Sequence, residues 1–349
     1  MKKKQFSDYI FSFCKSICKV LFISSALFKN ASSISFMSIG DWGGASIDLK
    51  HQQWENTVAK TFSNVAEQMT PKFIVGTGDN FYYYGVKNKT DPLFITDFEE
   101  VYKGEALMVP WYHTLGNHDY AYNPEAQTQY ISKNNNRWVM PNRYYYKRIK
   151  LNSNQYSSFI FLDTSPCYQD YINDDPTLWD PCSPQYPSPK DCKFHKNILL
   201  ENCHDQYVWL KNLFLNISKD DWIIVAGHHP ANQIDVAPIT TLLKENNIDL
   251  YLNGHAHELR HYLIDGKQCW ITTGAGSMVS TEKDQKELSD ELSKYNNKNN
   301  QYKLTTIWNQ TKAGFTTHTF SNDYTKLTTN FIDFNGDTLY NITIRKQYR

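Results

Sequence analysis

The sequence has no surplus of charge of either sign. Its 349 residues carry 36 Lys and Arg against 36 Asp and Glu, so the chain lacks the electrostatic footprint of a nucleic-acid binder. It also lacks long apolar runs. Val20–Phe28 is too short to span a bilayer, no comparable stretch follows, and Ile342–Arg349 is polar and basic. Cysteine is sparse, and none of the seven is paired as Cys-x-x-Cys, which argues against a zinc finger. No internal repeat is visible. What remains is a chain long enough to bury a substantial core, rich in aromatics, with Asn and Lys frequent in its loops.

The first 33 residues stand apart. Lys2-Lys3-Lys4, the apolar Val20–Phe28 and the small Ala31-Ser32-Ser33 have the three parts of a secretory signal peptide, or of an uncleaved signal anchor. Cys14 and Cys18 would leave with it. Cys167, Cys182, Cys192 and Cys203 cluster in an insertion at 164–205, with Cys269 alone on an apolar run. Outside the cytosol such a cluster implies two local disulfides, with three connectivities open. Asn-x-Ser/Thr sites at Asn88, Asn216, Asn309 and Asn341 permit glycosylation. In so asparagine-rich a chain they also arise by chance. The expectation is a soluble protein of the secretory pathway, residues 34–349 forming one domain.

Periodicity predicts helices at His51–Met69, Leu93–Tyr102, Gln206–Leu215 and Ile239–Lys244. Strands are expected at Ser35–Ile39, from Phe73, at Met108–Leu115, Ser157–Asp163, Trp222–Ala226, Ile248–Leu252 and Gln268–Thr273, with a hairpin near Tyr144-Tyr145-Tyr146. The insertion reads as a long disulfide-held loop, Thr281–Gln301 as exposed or mobile, and the segment from Leu304 as antiparallel strands closing a sheet. This alternation argues for one α/β domain with layered sheets.

Five strand ends carry a glycine followed by a polar residue: Asp41, Asp79 (with Tyr82), Asn117 (with His118), His228 (with His229) and His255 (with His257). Ligands gather beyond the carboxyl ends of strands in such sheets. Glycine there allows a sharp turn and close backbone approach. His255 and His257, two apart, would point to one side in extended backbone. Oxygen and imidazole donors without thiolate suit zinc, iron or manganese. Singly, each residue has a plainer reading as a cap, a turn former or core; five together point to a metal site.

These blocks, GDWG, GDNFY, GNHD, GHH and GHAH, resemble the metal-binding motifs of the calcineurin-like metallophosphoesterases. The tyrosine three residues after Asp79 makes the chain similar to the purple acid phosphatases of the small tartrate-resistant type. The likeness runs from Ile34 towards the C-terminus, loosely beyond Gly276, and includes Phe161-Leu162-Asp163-Thr164. It implies a four-layer αββα sandwich of two mixed sheets flanked by helices. It also implies an Fe3+ site of Asp41, Asp79, Tyr82 and His257, and an Fe2+, Zn2+ or Mn2+ site of Asp79, Asn117, His228 and His255, bridged by Asp79.

The implied activity is acid hydrolysis of phosphate monoesters by hydroxide at a dinuclear centre, releasing inorganic phosphate, from a monomer that is secreted or held in an acidic vesicle or vacuole lumen. His118 would touch the phosphate or leaving group, with Asp119 orienting it. Relatives carry a further histidine some nine residues past His228. This chain does not, and His229 or Asp235 would have to substitute as leaving-group acid. Rival readings are a phosphodiesterase or nucleotidase on the same metals, and a non-catalytic scaffold of the glideosome-associated type.

Overall fold

Two kinds of strand run through the chain, and their side-chain patterns separate them. The computed structural model describes residues 33–44, 46–133, 137–173, 180–183, 190–281 and 302–349, with scattered residues between 283 and 296. The expected leader, most of 281–301 and parts of the insertion lie outside the described residues. β1 (Ser35–Ile39), β2 (Ile74–Gly76) and β3 (Trp111–His113) are buried along their whole length, as are β7 (Trp222–Ala226), β8 (Leu250–Asn253) and β10 (Gln268–Thr273). Continuous apolar runs of this kind belong to sheets covered on both faces. β11 (Leu304–Gln310), β13 (Lys326–Asp333) and β14 (Thr338–Arg345) alternate instead.

With β4 (Trp138–Val139), β5 (Tyr145–Lys150), β6 (Tyr156–Phe161), β9 (Leu259–Ile264) and β12 (Gly314–Phe320), they form two mixed sheets. The first has the order β14-β13-β12-β1-β2-β3-β4 and the second β11-β9-β10-β8-β7-β6-β5. β1 to β4 run parallel, and β12 closes antiparallel on β1. In the second sheet β6, β7, β8 and β10 run parallel. The expected closing meander is therefore split: β11 joins the second sheet while β12–β14 complete the first.

The sheets meet through aromatic side chains. Phe36 and Phe73 pack edge-on against Phe159 at 5.3 and 5.0 Å, and Tyr112 lies 5.7 Å from Phe161. On the outer face of the first sheet lies α1 (Leu49–Met69), which buries Val58, Ala59, Phe62 and Ala66. Asp48 caps it by accepting from Lys50 and His51 N–H. α2 (Glu125–Gln129), α3 (Gln169–Ile172) and α4 (Phe194–Leu199) are short. α5 (Cys203–Phe214) and α6 (Ile239–Glu245) share the apolar cluster outside the second sheet. The layers are those expected, helix–sheet–sheet–helix.

The segment expected as a helix from Leu93 forms a wide turn of π type over Phe94–Glu99. The insertion, expected as loop, contains α3 and α4. Its pairing is Cys167–Cys203 and Cys182–Cys192, and Cys269 is a buried free thiol.

Candidate metal centre

The parallel strands of both sheets end at one place, and each sheet contributes a different element. From the first come oxygens: Asp41 after β1, Asp79 and Tyr82 after β2, and Asn117 after β3. From the second come nitrogens: His228 after β7, and His255 and His257 after β8. The Tyr82 hydroxyl lies 2.9 Å from Asp79 Oδ2, 3.1 Å from Asp41 Oδ1 and 3.0 Å from His257 Nε2. Beside this group, Asn117 Oδ1 is 3.0 Å from His228 Nε2 and 3.1 Å from His255 Nδ1, and those two nitrogens are 3.2 Å apart. Asp79 Oδ2 reaches both groups, being 3.4 Å from His228 Nε2. All seven candidate residues thus converge.

Close backbone approach makes this possible. A Cβ on Gly116 would sit 2.1 Å from Asp79 Oδ1, and one on Gly254 2.3 Å from Asp41 Oδ2. Asp41, Asp79, His255 and His257 all have positive φ, of 55°, 49°, 71° and 47°. Such conformations cost a non-glycine residue about 1 kcal/mol or more and cluster where function over-determines the backbone. They correct the sequence expectation for the last pair. His255 and His257 lie on a left-handed turn, not extended backbone, and aim at opposite halves of the site.

His228 Nδ1 lies 2.8 Å from the Thr77 carbonyl, to which it donates, which turns Nε2 inward as a lone pair. Nε2 and Asn117 Oδ1 are then acceptors in contact, an arrangement that a proton or a cation relieves. Burial opposes charge on His228, but Asp79 and Asp41 outweigh it and raise the imidazole to about 9. Burial likewise opposes ionisation of Asp79, yet His228 and His118 hold its carboxyl well below the usual range. Burial, then Asp41 and Asp79, push the Tyr82 phenol up. A carboxylate-rich, imidazole-rich set with no thiolate fits divalent or trivalent first-row cations, and Asp41, Asp79 and His228 present donor atoms within 4.8 Å of one another.

The other expected residues fall differently. His118 donates from Nδ1 to the Tyr83 carbonyl at 2.8 Å, and its ring lies 4.6 Å from that of Tyr82. Burial lowers its pKa, opposed by Asp79. The Asp119 carboxylate accepts from Gly116, Asn80 and Phe81 N–H and from Gln127 Nε2, clamping the turn that carries Asp79 and Tyr82. Burial, then Asp79, push Asp119 up to about 7. His229 is fully buried between Thr164 and Tyr171, and burial holds it neutral. Asp235 accepts from Gln169 N–H of the insertion.

Sequence reasoning missed three further residues. Thr77 holds His228, Ser277 donates its hydroxyl to the Asp41 carbonyl, and Thr164 accepts from His228 and His229 N–H. Only Thr164 left a trace in the sequence, as the last residue of the Phe161–Thr164 block.

Comparison with known proteins agrees with this geometry. A family model described as calcineurin-like phosphoesterase matches residues 34–259. The chain is 33% identical over 261 residues to Purple acid phosphatase 7 of Arabidopsis thaliana, covering 71% of this chain and 72% of that one. It is 31% identical over 277 residues to Tartrate-resistant acid phosphatase type 5 of Homo sapiens, covering 76% and 80%. Among solved structures, one titled "GAP50 the anchor in the inner membrane complex of Plasmodium" aligns over 90% of each chain with a TM-score of 0.63 and 24% identity, a likeness of fold alone.

Proposed function

The chain belongs to the calcineurin-like phosphoesterases and is a hydrolase of their purple acid phosphatase branch, and from that premise we propose that it hydrolyses phosphate monoesters at acidic pH on a dinuclear metal centre. The observation that carries this reading is the convergence of Tyr82 Oη with Asp41, Asp79 and His257 beside a second group of Asn117, His228 and His255. In this reading Asp41, Asp79, Tyr82 and His257 hold Fe3+. Asp79, Asn117, His228 and His255 hold Fe2+, Zn2+ or Mn2+.

When bound, such a pair supplies Lewis acidity that polarises a phosphate oxygen and lowers the pKa of water. The protein's own groups do the rest. Thr77 fixes the tautomer of His228. Tyr82 is a phenol held protonated by burial and two carboxylates, and it would hold Fe3+ as the phenolate. His118, with Nδ1 committed to the Tyr83 carbonyl, presents Nε2 as the group that meets a phosphate oxygen or the leaving group. Because burial lowers its pKa, it carries a second proton only in acid, which suits an acidic optimum. His229 has both ring nitrogens engaged, with Thr164 and Tyr171, and this reading gives the leaving-group role to His118 instead.

Two disulfides suit an oxidising compartment, and we place the protein in the secretory pathway on that ground. Among the described residues no helix is long and apolar enough to cross a membrane. The likeness to an anchor protein is one of fold and gives no reason to prefer a scaffold.

The test is metal content and a visible spectrum on protein purified without chelator, followed by hydrolysis of a monoester and a bis-ester across pH. About two metals per chain, a purple band and monoester preference in acid are expected. Preference for the bis-ester would move the assignment to a phosphodiesterase. Folded protein with neither metal nor turnover after reconstitution would overturn it.

A further inference from the structure

The residues around His229 do something the five motifs leave unexplained. Thr164 Oγ1 accepts the backbone N–H of His228 at 3.1 Å and of His229 at 3.0 Å. Both of its lone pairs are thereby used. In its 2.8 Å contact with His229 Nδ1 the hydroxyl must therefore donate. Nδ1 is then the lone-pair nitrogen, and Nε2 carries the proton, which it donates to the Tyr171 hydroxyl at 3.3 Å. The His229 ring lies near enough to His228 and His255 to belong to their donor cluster, but both of its nitrogens are committed away from a metal.

What the ring does instead is pack. It lies 4.5 Å from the His255 ring, tilted by 43°, and 4.9 Å from the His228 ring, nearly perpendicular. His255 faces Asn117 and His228 with Nδ1, the nitrogen next to the ring's attachment point. Half a turn about the Cβ–Cγ bond would replace that nitrogen with a carbon. A rigid neighbour against the ring face blocks the turn.

Tyr171 belongs to α3, within the cysteine-rich insertion. It packs on Tyr168 at 4.6 Å and Phe194 at 5.0 Å, and Cys167–Cys203 anchors the start of this segment to α5. Thr164, Tyr171 and His229 are all essentially excluded from solvent.

We propose that the cysteine-rich insertion is a positioning device for the second metal. Tyr171 and Thr164 lock His229, and His229 holds the His255 ring so that Nδ1 stays aimed at the site. The inference rests on the dinuclear reading above and assigns His229, Tyr171 and Thr164 as positioning residues.

The test uses the full chain reconstituted with iron and zinc. Tyr171→Phe removes the acceptor for His229 Nε2–H, and Thr164→Val removes the hydroxyl. Zinc affinity is read by chelator competition while the visible band reports the first metal. Zinc should bind roughly tenfold or more weakly in both variants, as loss of an orienting partner does at other metal sites. The band should stay unchanged, and Thr164→Ser should restore zinc binding. A merely structural defect would instead reduce both metals together. Parent-like zinc affinity in Tyr171→Phe and Thr164→Val would overturn the proposal. An unaltered protein that takes up only one metal would overturn the dinuclear reading, and this inference with it, which is a different result from two metals held equally well by parent and variants.

Discussion

Replacing Asp119 by asparagine separates two accounts of that residue. If it orients His118, the variant should fold normally and lose only turnover. The hydrogen bonds point elsewhere. Oδ1 accepts from Phe81 N–H at 3.2 Å and Gln127 Nε2 at 2.7 Å, and Oδ2 from Gly116 N–H at 2.8 Å and Asn80 Nδ2 at 3.4 Å, while Asn80 N–H sits 3.1 Å from both. Whichever way an asparagine amide is turned, its NH2 meets two donors. A hydrogen bond to a charged group contributes about 1.5–3 kcal/mol, so two lost in a dry site cost about 3–6 kcal/mol. For a chain of this size that is a fall of roughly 6–20 °C in Tm. The turn that loosens carries Asp79 and Tyr82, so metal should go with it. The assay is thermal unfolding by near-ultraviolet circular dichroism at about pH 8, above the raised carboxyl pKa, with metal content on the same sample. Asp119→Asn with parent-like Tm and metal but a fall in kcat would refute the clamp and restore the orienting role.

Three further outcomes follow from the same geometry. Gly116→Ala forces a Cβ to within 2.1 Å of Asp79 Oδ1, and it should cost about 1–3 kcal/mol and weaken both metals; unchanged metal titrations would contradict the close approach. Tyr82→Phe should abolish or shift the visible band while keeping the fold, and a variant of unchanged colour would remove Tyr82 as a ligand. In the metal-free protein His228 is raised to about 9 from an ordinary 6.5. Its charge therefore stabilises the fold fully below its unfolded pKa, and the contribution disappears as pH rises through about 9. The urea midpoint of chelator-stripped protein should fall between about pH 6 and pH 10, and by less in His228→Gln. An equal fall in both would show that other groups set the dependence.

The parts of this architecture that could be read from sequence are those where one signal dominates. Trp222–Ala226 and Gln268–Thr273 were expected at their observed bounds, because a continuous apolar run between polar turns has one solution in a covered sheet. The candidate ligands were legible because five of the seven follow a glycine at a strand end, and Tyr82 and His257 lie three and two residues beyond one of those five. What was not legible depends on distance in space. Nothing in the spacing of His255 and His257 reveals positive φ, and an extended reading sends both rings the same way. Adjacency suggested that Asp119 serves His118, yet its carboxylate reaches the backbone of Asn80 and Phe81, 39 and 38 residues back. Which sheet β11 joins is set by pairing with β9 across 40 residues of chain. Tyr171 drew no notice because a tyrosine in a disulfide-rich segment looks like packing until its hydroxyl is found beside His229.

The division of donors between the sheets has a consequence for the order in which the site is made. Synthesis delivers Asp41, Asp79, Tyr82 and Asn117 first, an all-oxygen set. The imidazoles follow only with residues 228 to 257. The strand that completes the pairing of β1, Gly314–Phe320, comes later still. A nascent chain therefore lacks every candidate imidazole ligand until most of it has emerged, and the two donor sets meet only when the halves dock. The site is a property of the finished fold and of no earlier segment.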